Sequence, residues 1–287
     1  MSLFKSTSKT TMEITGHTKL VGIVANPVEH VRTPQLFNAS VAQQGLDVSC
    51  VPFHVREPNL QKWLSGALGL SNLTGLIITI PYKEAVIEWC GELTDTAILV
   101  GSVNAMRRDE SRGIWIGGNF DGDGFVAGLR SRGHQLEGKR VLLVGAGGAG
   151  KAMAYAIARS KPAELVIHNR AEQRAIDLVS RVNKALPEIK MSVGDNNPGG
   201  FDVVVNATSL GLKDGDALPI RMDRLESGTL ICEAVMRDGN TPLLQAAFER
   251  GCVVHHGRHM LYGQIVEIAQ FLGIPLRSES VVRMLGP

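Results

Sequence analysis

Short apolar runs alternate with amphipathic stretches along this chain, and the alternation predicts strands and helices in turn. Leu20 to Ala25, Val48 to His54 and Gly75 to Ile80 are strand-like runs. Leu60 to Ala67 reads as a helix. Thr33 and Pro34 have the chemistry of an N-cap and a first helical residue, opening a helix towards Gln44. Strands separated by helices imply parallel pairing through right-handed crossovers. Val103 to Arg107 and Gly113 to Gly117, joined by a polar loop, predict an added antiparallel pair. The rhythm resumes in Arg140 to Val144, Glu164 to Asn169, Val203 to Asn206 and Thr229 to Glu233. The pattern predicts an α/β protein of two domains, residues 1–120 and 121–259, joined near residues 119–124.

The second domain opens on the most informative stretch. The run Arg140 to Val144 ends in Gly145, Ala146, Gly147, Gly148, Ala149 and Gly150, and a helix-compatible segment, Ala152 to Ala158, follows. Strand, glycine turn and helix N-terminus make a dinucleotide-binding (Rossmann) unit. Gly145 permits the tight turn, Gly147 lets the backbone approach a pyrophosphate, and Gly150 lets the helix pack close to the strand. The helix N-terminus then offers unpaired N–H groups and a positive dipole end to the anion.

The tip of the next strand bears on which nucleotide. NAD enzymes usually place an acid there to hold the ribose hydroxyls. Here the tip carries Asn169 and Arg170, with Arg174 four residues on. Two guanidiniums can clamp a 2′-phosphate that an acid would repel, although Glu172 between them can neutralise part of their field. NADP is favoured, and NAD stays open.

Composition adds exclusions. In 287 residues, 44% hydrophobic and 20% charged, there is room for two cores and no sign of a disordered chain. A net charge of +2 gives no basic field for nucleic acid, and no apolar run is long enough for a membrane. Met1 to Thr18 is polar and reads as a frayed tail rather than a secretion signal. Cys50, Cys90, Cys232 and Cys252 are scattered, as buried reduced thiols of a cytoplasmic protein would be. A small-molecule enzyme, monomer or homodimer, is expected.

Ligands of such sheets bind beyond the carboxyl ends of the strands. In the first domain those positions carry Asn26 to Pro34, Pro81 to Lys83, and Asn119 to Asp121. Lys83, Asn104 and Asp121 are thus polar groups on loops able to converge on one cleft.

These residues resemble the shikimate/quinate dehydrogenase family over almost the whole chain. The resemblance rests on the ordered motifs Ile78-Thr79-Ile80-Pro81-Tyr82-Lys83, Gly101-Ser102-Val103-Asn104 and Gly118-Asn119-Phe120-Asp121-Gly122. The glycine turn, Asn169-Arg170, Asn206-Ala207-Thr208-Ser209-Leu210-Gly211 and Gly257 to Gln264 continue the series. It implies a catalytic N-terminal domain and an NADP-type C-terminal domain, with helices in residues 260–287 packing back on the first. It implies reversible reduction of 3-dehydroshikimate by NADPH, with Lys83 and Asp121 as the catalytic pair. Oxidising a secondary alcohol requires removal of the hydroxyl proton as hydride leaves the same carbon, which suits a lysine oriented by an aspartate. Thr79, Asn104 and Gln264 match residues that bind ring hydroxyls. Asn206, Thr208 and Leu210 follow a Rossmann strand, where they can line the nicotinamide pocket.

Two departures concern the substrate. The family follows its first strand with a His-Ser-any-Ser-Pro sequence whose serines grip the carboxylate. Here His30, Val31, Arg32, Thr33 and Pro34 stand there, and Val31 cannot donate. A tyrosine usual near the end of the Glu233 strand is Met236. Losing one donor to a carboxylate costs roughly 1.5–3 kcal/mol unless compensated. The chain therefore reads as a divergent branch, and quinate or an aminated analogue, with NAD, is an alternative. Methylenetetrahydrofolate dehydrogenases share the larger architecture, but Asp121 in its Asn119-Phe120-Asp121 context suits a polyol better than a pterin. A non-catalytic sensor of NADP and a ring acid is the alternative of another class, against which the intact Lys83 and Asp121 argue.

His255, His256 and His259 have the count of a metal site but not the expected geometry. Neighbours on a strand face opposite ways, and His259 lies past Gly257. No metal is expected. Trp63, Trp89 and Trp115, and the apolar face of Leu261 to Leu272, read as core.

Overall fold

The structure, a computed structural model, describes residues 13–29, 31–237, 239–278 and 281. The chain divides into two compact units. One holds the described residues up to Phe120 and those from Gln264 on; the other is Asp121–Gly263.

The first unit is built on β1 (Lys19–Ala25), α1 (Thr33–Gln43), β2 (Val48–His54), α2 (Leu60–Ala67) and β3 (Leu73–Ile78). It continues with β4 (Cys90–Leu93), α3 (Asp95–Val100), β5 (Ala105–Asp109) and β6 (Ile114–Gly118). Its sheet runs β2-β1-β3-β5-β6-β4. β1 pairs in parallel with both β2 and β3, while β5 is antiparallel to β3 and β6. The strand order reverses at β1, and such a switch point, at the carboxyl ends of β1 and β3, is where open α/β sheets bind their ligands. Leu64, Leu73, Leu76, Ile78, Val86 and Trp115 belong to one buried cluster, against which Trp63 and Trp89 pack. Ile265, Ile268, Ala269 and Leu272 are buried too, and Phe271 packs its ring 4.9 Å from that of Phe120.

The second unit contains α4 (Asp121–Ser131), β7 (Arg140–Val144), α5 (Gly148–Arg159), β8 (Glu164–His168), α6 (Glu172–Ala185) and β9 (Met191–Val193). β10 (Val203–Asn206), β11 (Leu230–Glu233), α7 (Pro242–Glu249), β12 (Val253–His255) and α8 (Arg258–Phe271) follow, α8 running on into the first unit's share of the chain. The sheet order is β12-β11-β10-β7-β8-β9, parallel throughout. β7, β10 and β11 are buried along nearly their whole length, as a parallel strand covered on both faces must be. Here the order reverses between β7 and β10, which sets Val144 and Asn206 side by side at the switch point.

Several expectations shift. Thr33 is the first helical residue of α1 and Arg32 its cap, with no capping bond from a side chain. Pro34 is tolerated one place later because the second N–H of a helix is also an orphan donor. The same Thr-Pro pair at 241–242, not singled out from sequence, does cap: Thr241 accepts from the amide of Leu244 on α7. β3 stops at Ile78, not Ile80, because the chain turns with the amide of Tyr82 on the Thr79 carbonyl. Val103 lies outside β5, its amide bound to the Lys83 carbonyl at 2.7 Å. α5 starts at Gly148, inside the glycine run, and α8 at Arg258. β4, α3, β9 and α7 add elements the apolar pattern does not announce. Of the polar tail expected over Met1 to Thr18, residues 1–12 lie outside the described residues. Thr18 is not frayed: it is buried and closes a hydrogen-bonded turn with Thr15. No helix among the described residues is long and apolar enough to cross a membrane.

Candidate active site

The glycine turn of the second unit is fixed by sterics. Gly145 has φ +114°, a region that L side chains rarely adopt, and its amide donates to the His168 carbonyl at 2.8 Å. A Cβ on Gly150 would fall on the Gly145 carbonyl oxygen, so the first turn of α5 can lie this close only as glycine. Gly147 and Gly148 differ: both are exposed, and a Cβ on either meets nothing within 4 Å. Their space is open to a ligand, and Gly147 caps α5 without a side chain, leaving its first amides available.

Around the turn stand the polar groups expected from sequence. Asn169 Oδ1 accepts from the amide of Ala146 at 3.0 Å, and its Nδ2 donates to the Ala171 carbonyl. Asn169 therefore holds the turn against the tip of β8. Arg170 and Arg174 are exposed, and neither forms an ion pair among the described residues. Glu172, the suspected neutraliser, pairs with neither. At β10, Asn206 accepts on Oδ1 from the amide and hydroxyl of Thr208, at 3.0 and 2.7 Å. Thr208 Oγ1 accepts in turn from the amide of Leu210. A Cβ on Gly145 would come within 2.9 Å of the Ala207 carbonyl oxygen, so this loop rests directly on the glycine turn.

In the first unit the groups beyond β1 and β3 gather in the same way. The Asn26 amide donates to the Ile80 carbonyl at 3.3 Å, and the Thr79 amide to that of Val24 at 3.2 Å. Tyr82, buried, donates its hydroxyl to the Val55 carbonyl at 2.6 Å and anchors the turn that carries Lys83. Lys83 is half-buried, and its carbonyl ties it to Val103. Asn104 is 3% exposed, and its Oδ1 accepts from the Phe120 amide at 2.9 Å. Asn119 donates to Ser102 through its Nδ2. These pairs lock the loop after β6 to the loop before β5. Thr79, Val31 and Gln264 are half-buried, and Thr33 is 9% exposed; His30 lies outside the described residues.

Asp121 belongs to the second unit, as the first residue of α4, and is 4% exposed. α4 packs on α5 at Gly122, where a Cβ would fall on the Ala152 carbonyl. Asp121 is thereby seated beside the start of the glycine-turn helix. Met236 is 58% exposed.

Two clusters were not foreseen. Glu233, 0% exposed at the end of β11, binds Asn206 and Thr241. A lone acid closing an apolar strand gave little sequence signal. The histidines are the second, and they correct the expectation that His255, His256 and His259 stay apart. His255 and His259 lie with ring centroids 4.6 Å apart, His256 is 6.2 Å from His259, and His134 is 5.8 Å from His255. The chain reverses between β12 and α8, which carries His259 back over His255; spacing alone hid this. Burial first, and neighbouring cationic groups second, push His255 down to about 3 and His259 down to about 4. Among the described residues no three ligand-type side chains are arranged to hold a metal.

Comparison with known proteins agrees with this geometry. The family described as shikimate dehydrogenase substrate binding domain matches residues 23–106, and that described as shikimate / quinate 5-dehydrogenase matches residues 129–211. A shikimate dehydrogenase (NADP(+)) of Rubrobacter xylanophilus is 38% identical over 88% of this chain and 90% of its own. A shikimate 5-dehydrogenase of Listeria monocytogenes, solved in complex with shikimate and NAD, superimposes with a TM-score of 0.85 at 28% identity, over 96% of this chain and 99% of that one. The 5-ketofructose reductase of a Gluconobacter strain does so with the same score at 29% identity, over 94% and 99%. The chain belongs to the shikimate dehydrogenase family.

Proposed function

We propose that this chain is an NADP-dependent dehydrogenase that reversibly oxidises one ring hydroxyl of shikimate or a closely related cyclic acid. One observation carries the reading. The substrate-binding match falls on the first unit and the dehydrogenase match on the second, and each covers that unit's switch point. The open space at Gly147 and Gly148 and the unengaged Arg170 and Arg174 fit a dinucleotide with a 2′-phosphate. NADP, when bound, takes up or supplies the hydride. Lys83 receives the hydroxyl proton on Nζ as the carbon–hydrogen bond breaks, and returns it in the reverse direction. Asp121 orients Lys83 and the ring hydroxyls. Thr79, Asn104 and Gln264 supply donors and acceptors to those hydroxyls. The four free cysteines suit a reducing, cytoplasmic location.

A second reading, a substrate other than shikimate, is favoured by Val31 and Met236, which remove two polar groups from the substrate side. The Gluconobacter relative is named for reduction of a ketosugar, so the architecture serves more than one polyol. Initial rates with shikimate, quinate and an aminated analogue, each with NADP+ and NAD+, separate these readings. Turnover of a ring acid with NADP+ preferred is expected. No turnover of any ring acid with either cofactor would overturn the proposal.

A further inference from the structure

We infer that the buried carboxylate of Glu233 is a positioning residue that sets the orientation of the Asn206 amide and, through it, the loop of residues 206–211. This rests on the proposed contact of that loop with the nicotinamide half of the cofactor. Every hydrogen-bonding site of the Asn206 side chain is used. Nδ2 donates to Glu233 Oε2 at 2.9 Å and to the Leu210 carbonyl at 3.0 Å, while Oδ1 accepts from the amide and hydroxyl of Thr208. A carboxylate can only accept, so the amide nitrogen must face Glu233 and the amide oxygen must face Thr208. The reverse orientation would set oxygen against carboxylate and release Thr208, and with it the bond from the Leu210 amide. Glu233 is itself held by Thr241 Oγ1 at 2.8 Å and by the backbone N–H of Val235.

Among the described residues no ion pair holds the carboxyl, and burial pushes it up to about 7. The groups about it are few. Cys232, next in β11, has its thiol pushed up by burial and by this carboxylate. His255, paired with Cys232 across β12, is pushed down and neutral. Arg237 reaches the Gly211 carbonyl at 3.4 Å but is bound to Asp214 at 2.6 Å. On α7 the facing group is the neutral Thr241. Protonation of Glu233 makes one of its oxygens a donor and removes the constraint on Asn206. The loop is therefore held above pH 7 and released as pH falls through it.

The test compares binding of NADP+ with that of 2′-phospho-ADP-ribose, which keeps the pyrophosphate and lacks the nicotinamide, by calorimetry from pH 6 to 8.5. The ratio of the two dissociation constants cancels the titration of the shared 2′-phosphate. In the wild type the ratio should shift against NADP+ by about 3- to 10-fold as pH falls. Glu233→Gln should show the low-pH ratio at every pH while still binding 2′-phospho-ADP-ribose normally, and Glu233→Asp should recover part of the pH dependence. Should Glu233→Gln fail to fold, the wild-type and Glu233→Asp profiles decide. A flat wild-type ratio, or a Glu233→Gln protein that follows the wild-type profile, overturns the inference alone. Wild-type protein that binds neither ligand overturns the functional reading as well.

Discussion

Each unit has a sheet whose order reverses once, at β1 in the first and between β7 and β10 in the second, and each places its candidate site there. The two crevices are built differently. The glycine-turn side is made of backbone: Gly145 in its left-handed turn, Gly150 against a carbonyl, open amides at α5. The other side is made of loop side chains, Thr79, Lys83 and Asn104, held by a web of backbone bonds around Tyr82 and Phe120. A backbone site suits a ligand common to many enzymes, because it recognises phosphate and little else. A side-chain site can change its ligand one residue at a time, and Val31 is such a change.

The largest effect that could break this contrast is at Lys83. Lys83→Ala should lower kcat by about 10²–10⁴-fold and leave the NADP+ dissociation constant within about twofold, read by steady-state kinetics and calorimetry. Near-normal turnover would remove Lys83 from the chemistry. Next comes the glycine turn, where stability is at stake. Gly150→Ala should cost about 3 kcal/mol in denaturant unfolding, because its Cβ meets a backbone oxygen that cannot step aside. Gly148→Ala, facing open space, should stay within about 1 kcal/mol. Equal costs at the two positions would show that the turn is not shaped by that contact.

The contrast also explains what could be read from the chain. The β7 run, its glycines and the Arg170 tip are contiguous, so local rules placed them, including the strand–turn–helix order. The family resemblance marked Lys83, Asn104 and Asp121, whose setting depends on chain distant in sequence. Amphipathic pattern missed β4 and α3, which at four and six residues are too short to show a period. It also missed the bond from the Thr241 hydroxyl to Glu233, which lies eight residues away on a strand, whereas the Thr241 cap on the Leu244 amide is local and carries the same Thr-Pro signal as residues 33–34. The histidine cluster failed for the reason already given: spacing on one element says nothing about a reversal between two.

Smaller effects sharpen the picture. Arg170→Ala should weaken NADP+ by about tenfold and leave NAD+ little changed, because only the 2′-phosphate needs the guanidinium. Equal losses would make Arg170 structural. Acid should weaken the fold through the histidines. Their folded values lie below the ordinary 6.5, so their stabilisation is full above that pH and is lost as pH falls towards 3. Glu233, raised from 4.5 to about 7, opposes this, since its burial favours the fold below 4.5 and less so up to 7. His134 and His256 are pushed down as well, so the histidines outnumber the one carboxyl and stability should fall as pH drops below 6.5. His259→Gln should reduce that slope in urea unfolding between pH 6.5 and 5; an unchanged slope would mean that His259 does not contribute to it.

The division of labour between the two crevices is tested most directly by a double-mutant cycle of Val31→Ser and Arg170→Ala, with KM for shikimate and the NADP+ dissociation constant measured in all four proteins. Val31→Ser alone should lower KM for shikimate by up to about tenfold, ~1.4 kcal/mol, with kcat little changed, since a restored donor acts in ground and transition state alike. Arg170→Ala alone should change only the cofactor constant. In the double mutant each constant should equal that of its own single mutant within about twofold. A Val31→Ser protein with altered NADP+ affinity, or an Arg170→Ala protein with altered KM for shikimate at saturating cofactor, would contradict the separation of substrate and cofactor recognition.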